Sequence, residues 1–237
     1  MPIDLNVTTH SFTDCGAQAT ALAERVAERL RAGLKERGEA LLAVSGGSTP
    51  KEFFGQLSRQ PLDWSSVRVT LVDERWVPDS DERSNARLVK TTLLQHAASV
   101  ASFVPLYNDA PTPEAGLAIT AARIDALRLP FDAVVLGMGD DGHTASFFPG
   151  GDHLAAALDL DGRARVLTMR APGAGESRIT LSLPTLLDTR SLYLLIAGEK
   201  KRDMLADARL GLGEAKDYPV HAVLAQQRVP VAVYWCP

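Results

Sequence analysis

Cysteine, long apolar runs and excess positive charge are all scarce in this 237-residue sequence. The two cysteines, Cys15 and Cys236, lack a CxxC partner and any metal-ligand spacing, so we expect two thiols with no catalytic role. No run approaches the roughly 18 apolar residues that span a bilayer, and the start MPIDLNVTTHSF lacks the basic and apolar segments of a signal peptide. These absences predict a cytoplasmic protein that is neither zinc-bound nor membrane-spanning.

The charge balance is slightly acidic, because 29 acidic and 25 basic side chains leave a formal net charge of -4. No polybasic block is present, so we expect neither a nucleic-acid partner nor an anionic membrane partner. An anionic ligand would have to meet a local basic site. The hydrophobic content of 46% is ample for a folded core and excludes a disordered chain.

Apolar runs of strand length alternate with stretches of helical period. A helix is predicted over Thr13–Arg37, because Leu22, Val26 and Leu30 recur every four residues and Gly38 follows as a terminator. Strands are predicted at Glu39–Ser45, Val67–Glu74 and Phe131–Gly139, with helices at KEFFGQL and near Ser84–Gln95. Strands alternating with helices indicate parallel crossover units.

The pattern changes after His153, where ARVLTMR and SRITLSL leave room for only short helices between them, and we expect a mixed sheet. Further strands are predicted at Ser191–Ala197 and Val229–Trp235, further helices at GEKKRDMLADA and PVHAVLA, and loops at Asn108–Gly116 and Ala171–Ser177. No linker, repeat or low-complexity segment divides the chain. We therefore predict one domain over residues 1–237.

The first polar loop, SGGSTP, follows a predicted strand and precedes a helix. Gly46 and Gly47 let the backbone approach a ligand, while Ser45, Ser48 and Thr49 offer hydroxyl groups. N–H groups at the start of the next helix would face the same point, which suits a phosphate. The alternative is a tight turn capped by Ser48 or Thr49.

The second loop, VDERWVPDSDERSNARL, places Asp73, Glu74 and Arg75 at the end of an apolar strand. In open α/β sheets ligands collect at the carboxyl ends of the strands. A carboxylate there can orient or abstract a proton, and Arg75 can hold an anion. The alternative, a solvated turn with internal ion pairs, is favoured for the later charged group from Asp79 to Arg83.

The third loop, GMGDDGHTAS, follows the strand AVVL and is predicted to lead into a helix. Three glycines surround Asp140, Asp141 and His143. A histidine held beside a carboxylate can act as a general base near neutral pH. The alternative is a capping Asp with a histidine that only packs. The sequence contains no HExxH, GxSxG, P-loop or complete dinucleotide-binding signature, so we expect no metal and no cofactor.

Taken in order, SGGSTP, VDERWVP with SNARL, GMGDDGHTASFFPG, RITLSLPTL and IAGEKK resemble the 6-phosphogluconolactonase family of the glucosamine-6-phosphate isomerase/deaminase-like superfamily. The resemblance runs from about Glu39 to the closing VAVYW. It implies an α/β fold, specifically a Rossmann-like three-layer α/β/α sandwich with a mostly parallel sheet (NagB/RpiA/CoA transferase-like). It also implies a carboxylic ester hydrolase that opens 6-phospho-D-glucono-1,5-lactone in the oxidative pentose phosphate pathway, without a metal or an organic cofactor.

The resemblance further implies residue roles. His143 would activate water as the base, and Asp141 and Asp73 would orient it or the substrate. The residues implied to hold the phosphate are Ser45, Gly46, Gly47, Ser48, Thr49, Arg75, Arg178 and Lys200. Lys200 is preferred over Lys201 because of its place after Gly198, although either lysine could reach the anion.

Two alternatives remain at this stage. A sugar-phosphate isomerase or deaminase shares the glycine-rich loop and the DGH motif, but DERWV with SNARL favours the lactonase. A non-catalytic sugar-phosphate sensor on the same scaffold would ordinarily carry a DNA-binding module, for which residues 39–237 leave no room. The expected partner is a small sugar-phosphate lactone, and the expected assembly is a monomer or a weak homo-oligomer.

Overall fold

The central layer is a parallel sheet of seven strands in the computed structural model, which describes residues 6–237. In spatial order the strands are β1 (Val7–Ser11), β10 (Val231–Cys236), β9 (Leu192–Ala197), β6 (Ala133–Leu136), β2 (Ala40–Val44), β3 (Val67–Leu71) and β5 (Ser102–Val104). Every neighbouring pair is parallel. Such pairs need crossover connections, which the intervening helices supply.

Helices cover this sheet. They are α1 (Cys15–Arg37), α2 (Lys51–Leu57), α3 (Asn85–Thr92), α4 (Pro113–Asp125), α5 (Leu154–Leu158), α6 (Leu183–Leu187), α7 (Glu199–Leu210) and α8 (Pro219–Ala225). Every residue of β2 and of β6 is buried. Because successive strand side chains point to opposite faces, both faces of the sheet are covered. The predicted α/β/α sandwich with a mostly parallel sheet is confirmed.

A second, antiparallel sheet contains β4 (Asp73–Arg75), β8 (Arg178–Leu181) and β7 (Val166–Met169), in the order β4-β8-β7. The expectation of one mixed sheet is therefore wrong. The predicted strand Val67–Glu74 changes sheet at Val72, whose N–H donates to Val44 O at 3.0 Å and whose C=O accepts from Leu181 N at 2.9 Å. The apolar run is continuous in sequence, so its pattern gives no sign of this break.

Helix α1 matches its prediction closely and has defined caps. Asp14 accepts a hydrogen bond from Ala17 N at 2.8 Å, and Gly38 ends the helix with a φ of 75°. That left-handed conformation favours glycine because it has no Cβ. The buried face includes Leu22, Val26 and Leu30, as the period predicts.

Strands β1 and β5 and helices α4 and α6 are among the elements that were not predicted. Strand β1 has four exposed residues among its five, so its sequence lacks an apolar run. Strand β5 is only three residues long. Helix α4 begins at Pro113, inside the loop predicted for Asn108–Gly116, with Thr112 as its cap. A capping threonine followed by proline is a helix-start signal that the loop interpretation missed.

The two cysteines form a disulfide, so the prediction of two thiols is wrong for this structure. Parallel pairing of β1 with β10 sets Ser11 beside Trp235, which brings the start of α1 next to the end of β10. The Cα atoms of Cys15 and Cys236 lie 5.3 Å apart although their sequence separation is 221. Sequence spacing alone could not show this proximity.

Across residues 6–237 no helix has both the length and the hydropathy needed to cross a membrane. Residues 1–5, which begin the segment MPIDLNVTTHSF, lie outside the described residues.

Candidate active site

One cleft brings the three polar loops together. It lies where β2 and β6 end, and it is closed on one side by β4 and β8 of the second sheet. Of the predicted residues, the cleft is lined by Ser45, Gly46, Gly47, Ser48, Thr49, Asp73, Arg75, His143 and Arg178. The carboxyl ends of parallel strands converge here, as expected for an open α/β sheet.

The glycine-rich loop is shaped by its neighbours. A Cβ on Gly46 would overlap the side chain of Asn85, and Gly47 has a φ of 92°. Both positions therefore require glycine. Ser45 Oγ accepts a hydrogen bond from Gly137 N at 3.0 Å, which ties this loop to the start of the GMGDDGH loop.

Two arginines face each other across the β4–β8 ladder. Arg75 is the register partner of Arg178, and both side chains line the cleft. Like charges directly opposite on antiparallel strands repel, so a bound anion would relieve this pair. Burial and the Arg75 charge lower the pKa of Arg178, and the Asp73 charge partly offsets that effect.

The hydrogen bonds of these arginines leave capacity for a ligand. Arg178 Nη2 donates to Ala174 O at 2.7 Å, and the guanidinium lies 5.3 Å from the centre of the Phe148 ring. Arg75 Nη1 donates to Arg83 O. Arg75 Nε is buried and has no hydrogen-bond partner within the described chain.

The third cation of the cleft is Lys201, whereas Lys200 is exposed and is not part of the lining. Lys201 Nζ donates to Met138 O at 2.7 Å and lies 3.6 Å from Asp140 Oδ1. Adjacent residues on a helix point about 100° apart, so only one of two neighbouring lysines can face the site. The structure corrects the placement expected for Lys200.

His143 and Asp141 form a hydrogen-bonded pair, with 2.5 Å between Nδ1 and Oδ1. The imidazole also stacks on Phe148 at a centroid distance of 4.2 Å, and a Cβ on Gly139 would overlap the ring. Burial raises the pKa of Asp141, but the hydrogen bond and charge of His143 outweigh it and lower the pKa overall. The carboxylate is thus held ionised beside the imidazole.

No helix follows the histidine directly, which contradicts the prediction for GMGDDGHTAS. The chain instead turns through Ala145, which has a φ of 49°, and the next helix begins only at Leu154. This turn brings Ser146 beneath the cleft, where its Oγ donates to Asp73 Oδ2 at 2.5 Å. Asp73 is 6% exposed, so it is a buried wall of the site with one oxygen already engaged.

Two residues beside the cleft were missed as site residues. Asn85 lines it, and Glu74 is a fully buried residue of β4. The sequence places Glu74 at the end of an apolar strand and Asn85 in a polar loop, and no local pattern shows that either side chain is buried at the cleft. Among residues 6–237 no group of three or more His, Cys, Asp or Glu side chains is arranged to hold a metal ion.

The fold and cleft define a Rossmann-like α/β protein with a glycine-rich loop and a histidine–carboxylate pair at the ends of its parallel strands. Residues 14–235 match the family described as glucosamine-6-phosphate isomerases/6-phosphogluconolactonase, and the chain belongs to that family.

Relatives resemble the whole chain. A 6-phosphogluconolactonase of Rhizobium meliloti is 50% identical over 233 residues, which cover 98% of this chain and 100% of the relative. One of Mesorhizobium japonicum is 49% identical over 228 residues, covering 96% and 94%. The crystal structure of a 6-phosphogluconolactonase from Shewanella baltica matches with a TM-score of 0.93 and 41% identity over 98% of each chain.

Proposed function

We propose that this protein is a 6-phosphogluconolactonase, an enzyme that hydrolyses 6-phospho-D-glucono-1,5-lactone to 6-phospho-D-gluconate in the oxidative pentose phosphate pathway. One observation carries the proposal: the His143–Asp141 pair shares a cleft with a glycine-rich loop and three cationic side chains. Relatives bearing that name, up to 50% identical, support it.

The phosphate is proposed to lie against Gly46–Thr49, with Arg75, Arg178 and Lys201 as its cations. Arg75 and Arg178 are register partners, so a doubly charged phosphate would compensate both. The anchor is remote from the lactone carbonyl, and its binding energy can hold the reacting carbon in place.

His143 is proposed as the general base. A hydrogen bond from Nδ1 to Asp141 leaves the Nε2 lone pair free to take a proton from water. The resulting hydroxide adds to C1, and the tetrahedral intermediate expels the ring oxygen as the C1–O bond breaks. The imidazolium returns its proton to that oxygen, so the histidine ends neutral and no covalent intermediate is needed. Asp73 is proposed to orient the substrate from the buried wall.

The test is direct. Purified protein should open 6-phosphogluconolactone faster than the spontaneous reaction in the same buffer, and EDTA should not change the rate. Glucosamine 6-phosphate serves as the second substrate, because release of ammonia from it would instead support the isomerase/deaminase alternative. A rate equal to the buffer blank with both substrates would contradict both enzymatic functions and favour a sensor.

We also propose a single domain, a monomer or weak homo-oligomer, and a cytoplasmic location. The Cys15–Cys236 disulfide is evidence against a cytoplasmic location, because disulfides persist mainly in oxidising compartments. Alkylation of acid-quenched cells tests the location. Two labelled thiols would support the cytoplasm, and two protected sulfurs would contradict it.

A further inference from the structure

Glu74 is a fully buried carboxylate at the back of the cleft. Its Oε1 accepts from Arg75 N and Asn85 N, each at 2.8 Å. Its Oε2 accepts from Ala86 N at 2.7 Å and from Ser84 Oγ at 3.1 Å. Four donors therefore converge on one side chain, and two of them belong to the first turn of α3.

The position of Glu74 on β4 explains why it can act on the site without touching a ligand. Asp73 and Arg75 line the cleft, and Glu74 lies between them. Because side chains alternate along a strand, Glu74 points to the opposite face, toward α3. Its carboxylate joins the strand that carries Arg75 to the helix that begins with Asn85.

Asn85 lies between Glu74 and the glycine-rich loop and contacts both. Its Nδ2 donates to Asp73 O at 3.1 Å, and its side chain occupies the space that a Cβ on Gly46 would need. Asn85 is 3% exposed, so its side chain has little freedom to move away. The path from Glu74 to the glycine-rich loop therefore consists of one hydrogen bond, from Asn85 N to Glu74, and one packing contact, between the Asn85 side chain and Gly46.

We infer that Glu74 is a positioning residue for phosphate binding, which fixes Arg75 through the β4 backbone and Gly46 through Asn85. The inference rests on the proposed function for the identity of the anion. It assigns Glu74 no contact with substrate and no proton transfer. Its loss should weaken anion binding while leaving the His143–Asp141 pair in place.

Glu74→Gln tests this inference at pH 8, above the raised pKa of Glu74, because the amide keeps the volume but cannot accept all four hydrogen bonds that the ionised carboxylate accepts. We expect KM for the phosphorylated lactone to rise about 10-fold, with kcat within about 3-fold of the parent. The dissociation constant of inorganic phosphate, measured by calorimetry, should rise by a similar factor. That measurement needs no turnover, so a failed lactonase assay would contradict the proposed function without deciding this inference.

Asp132→Asn is the matched control. Asp132 is also fully buried and accepts from Leu41 N at 2.8 Å and from Arg37 Nη2 at 2.6 Å, but it is not part of the cleft lining. The Asp132→Asn variant should have a lower free energy of unfolding than the parent but the same phosphate affinity and the same KM. Equal weakening in both variants would overturn the inference, because it would show a general effect of losing a buried carboxylate. Unchanged phosphate affinity in Glu74→Gln would also overturn it.

Asn85→Ala keeps the inference testable if Glu74→Gln does not fold. This variant removes the contact between α3 and Gly46 while leaving Glu74 intact, and we expect the same rise in the phosphate dissociation constant. In the double variant the two effects should be less than additive, because both act through one path. Parent-like phosphate affinity in Asn85→Ala, or full additivity in the double variant, would contradict the inference.

Discussion

At the scale of single residues, His143 is distinguished from the other histidines by its setting. The ring is held by Asp141, by stacking on Phe148 and by the absence of a side chain at Gly139. We expect His143→Ala to lower kcat by about 10²- to 10⁴-fold, the usual effect of losing a general base, with phosphate affinity unchanged. Steady-state kinetics and calorimetry measure the two effects.

His153→Ala is a suitable control for that substitution. His153 also lies beside a carboxylate, with 3.4 Å between Nδ1 and Asp152 Oδ1, but it is outside the cleft. The kcat of His153→Ala should stay within about 2-fold of the parent value, as for a surface substitution. A His143→Ala variant as active as His153→Ala would show that His143 is structural.

The two adjacent lysines give the second prediction. Lys201→Ala should lower kcat/KM for the phosphorylated lactone by about 10- to 100-fold, because a charge-assisted hydrogen bond to the phosphate is lost. Lys200→Ala should change it by less than about 2-fold, since Lys200 is exposed. The unphosphorylated lactone should be a poor substrate for both variants and for the parent. A larger loss in Lys200→Ala would favour the sequence-based choice instead.

Glu74 gives a prediction about pH and stability. Burial raises the pKa of Glu74 from 4.5 to about 7, although the N–H donors of Asn85, Ala86 and Arg75 oppose the shift. The folded protein then holds a proton that the unfolded chain releases, so this contribution to stability is present at acid pH and lost as the pH rises through 7. The shift corresponds to about 3 kcal/mol.

We therefore expect the parent to lose about 2 to 3 kcal/mol of unfolding free energy relative to Glu74→Gln between pH 5 and pH 8. Urea denaturation across this range measures the difference, and the amide supplies the non-titrating reference. Parallel pH profiles for the two proteins would show that Glu74 does not titrate in this window.

At the scale of elements, the β4–β8 ladder concentrates positive charge at one end of the cleft. Because Arg75 and Arg178 are register partners, an anion should stabilise the fold as well as bind to it. Phosphate at about 100 times its dissociation constant should add about 2.7 kcal/mol to the parent. Arg75→Gln should gain less, because one of the two charges is gone.

Thermal unfolding with phosphate, compared with chloride at the same ionic strength, isolates the specific effect from screening. Without phosphate, Arg75→Gln should unfold at the parent's temperature or above it, since the variant relieves the repulsion. The prediction would be contradicted if Arg75→Gln were less stable than the parent without phosphate and gained as much stability from phosphate as the parent does. That result would mean that the anion binds away from Arg75.

At the scale of the whole molecule, the disulfide joins the first helix to the last strand. It closes nearly the entire chain into a loop, with a sequence separation of 221 between Cys15 and Cys236, so it restricts the unfolded state strongly. We expect Cys15→Ser to lower the unfolding free energy by about 2 to 4 kcal/mol. Neither cysteine lines the cleft, so kcat and KM should remain those of the parent.

Chemical denaturation of the oxidised parent, the reduced parent and Cys15→Ser measures this contribution. The reduced parent should match the variant, which separates loss of the bond from an effect of the serine side chain. A fall in kcat/KM on reduction would instead connect the bond to the site, through Gly198 N, which donates to Cys236 O ahead of α7.

The sequence by itself determined the features that depend on neighbours along the chain. Three kinds of local pattern predicted elements or loops close to their observed places. They are the helical period of α1, the apolar runs of β2, β6, β9 and β10, and the glycines that follow some of these runs. Because parallel strands bring their carboxyl ends together, these patterns also predicted that SGGSTP, Asp73 and His143 would meet.

Tertiary structure decided the features that depend on residues far apart in sequence. The pairing of Arg75 with Arg178, the proximity of Cys15 to Cys236 and the burial of Glu74 against α3 each join separate segments. Only the orientation of α7 on the sheet determines that Lys201, and not Lys200, lines the cleft. A sequence pattern indicates which secondary structure a segment forms. Strand register and burial instead depend on how whole elements pack against each other, and that packing determines where these side chains lie.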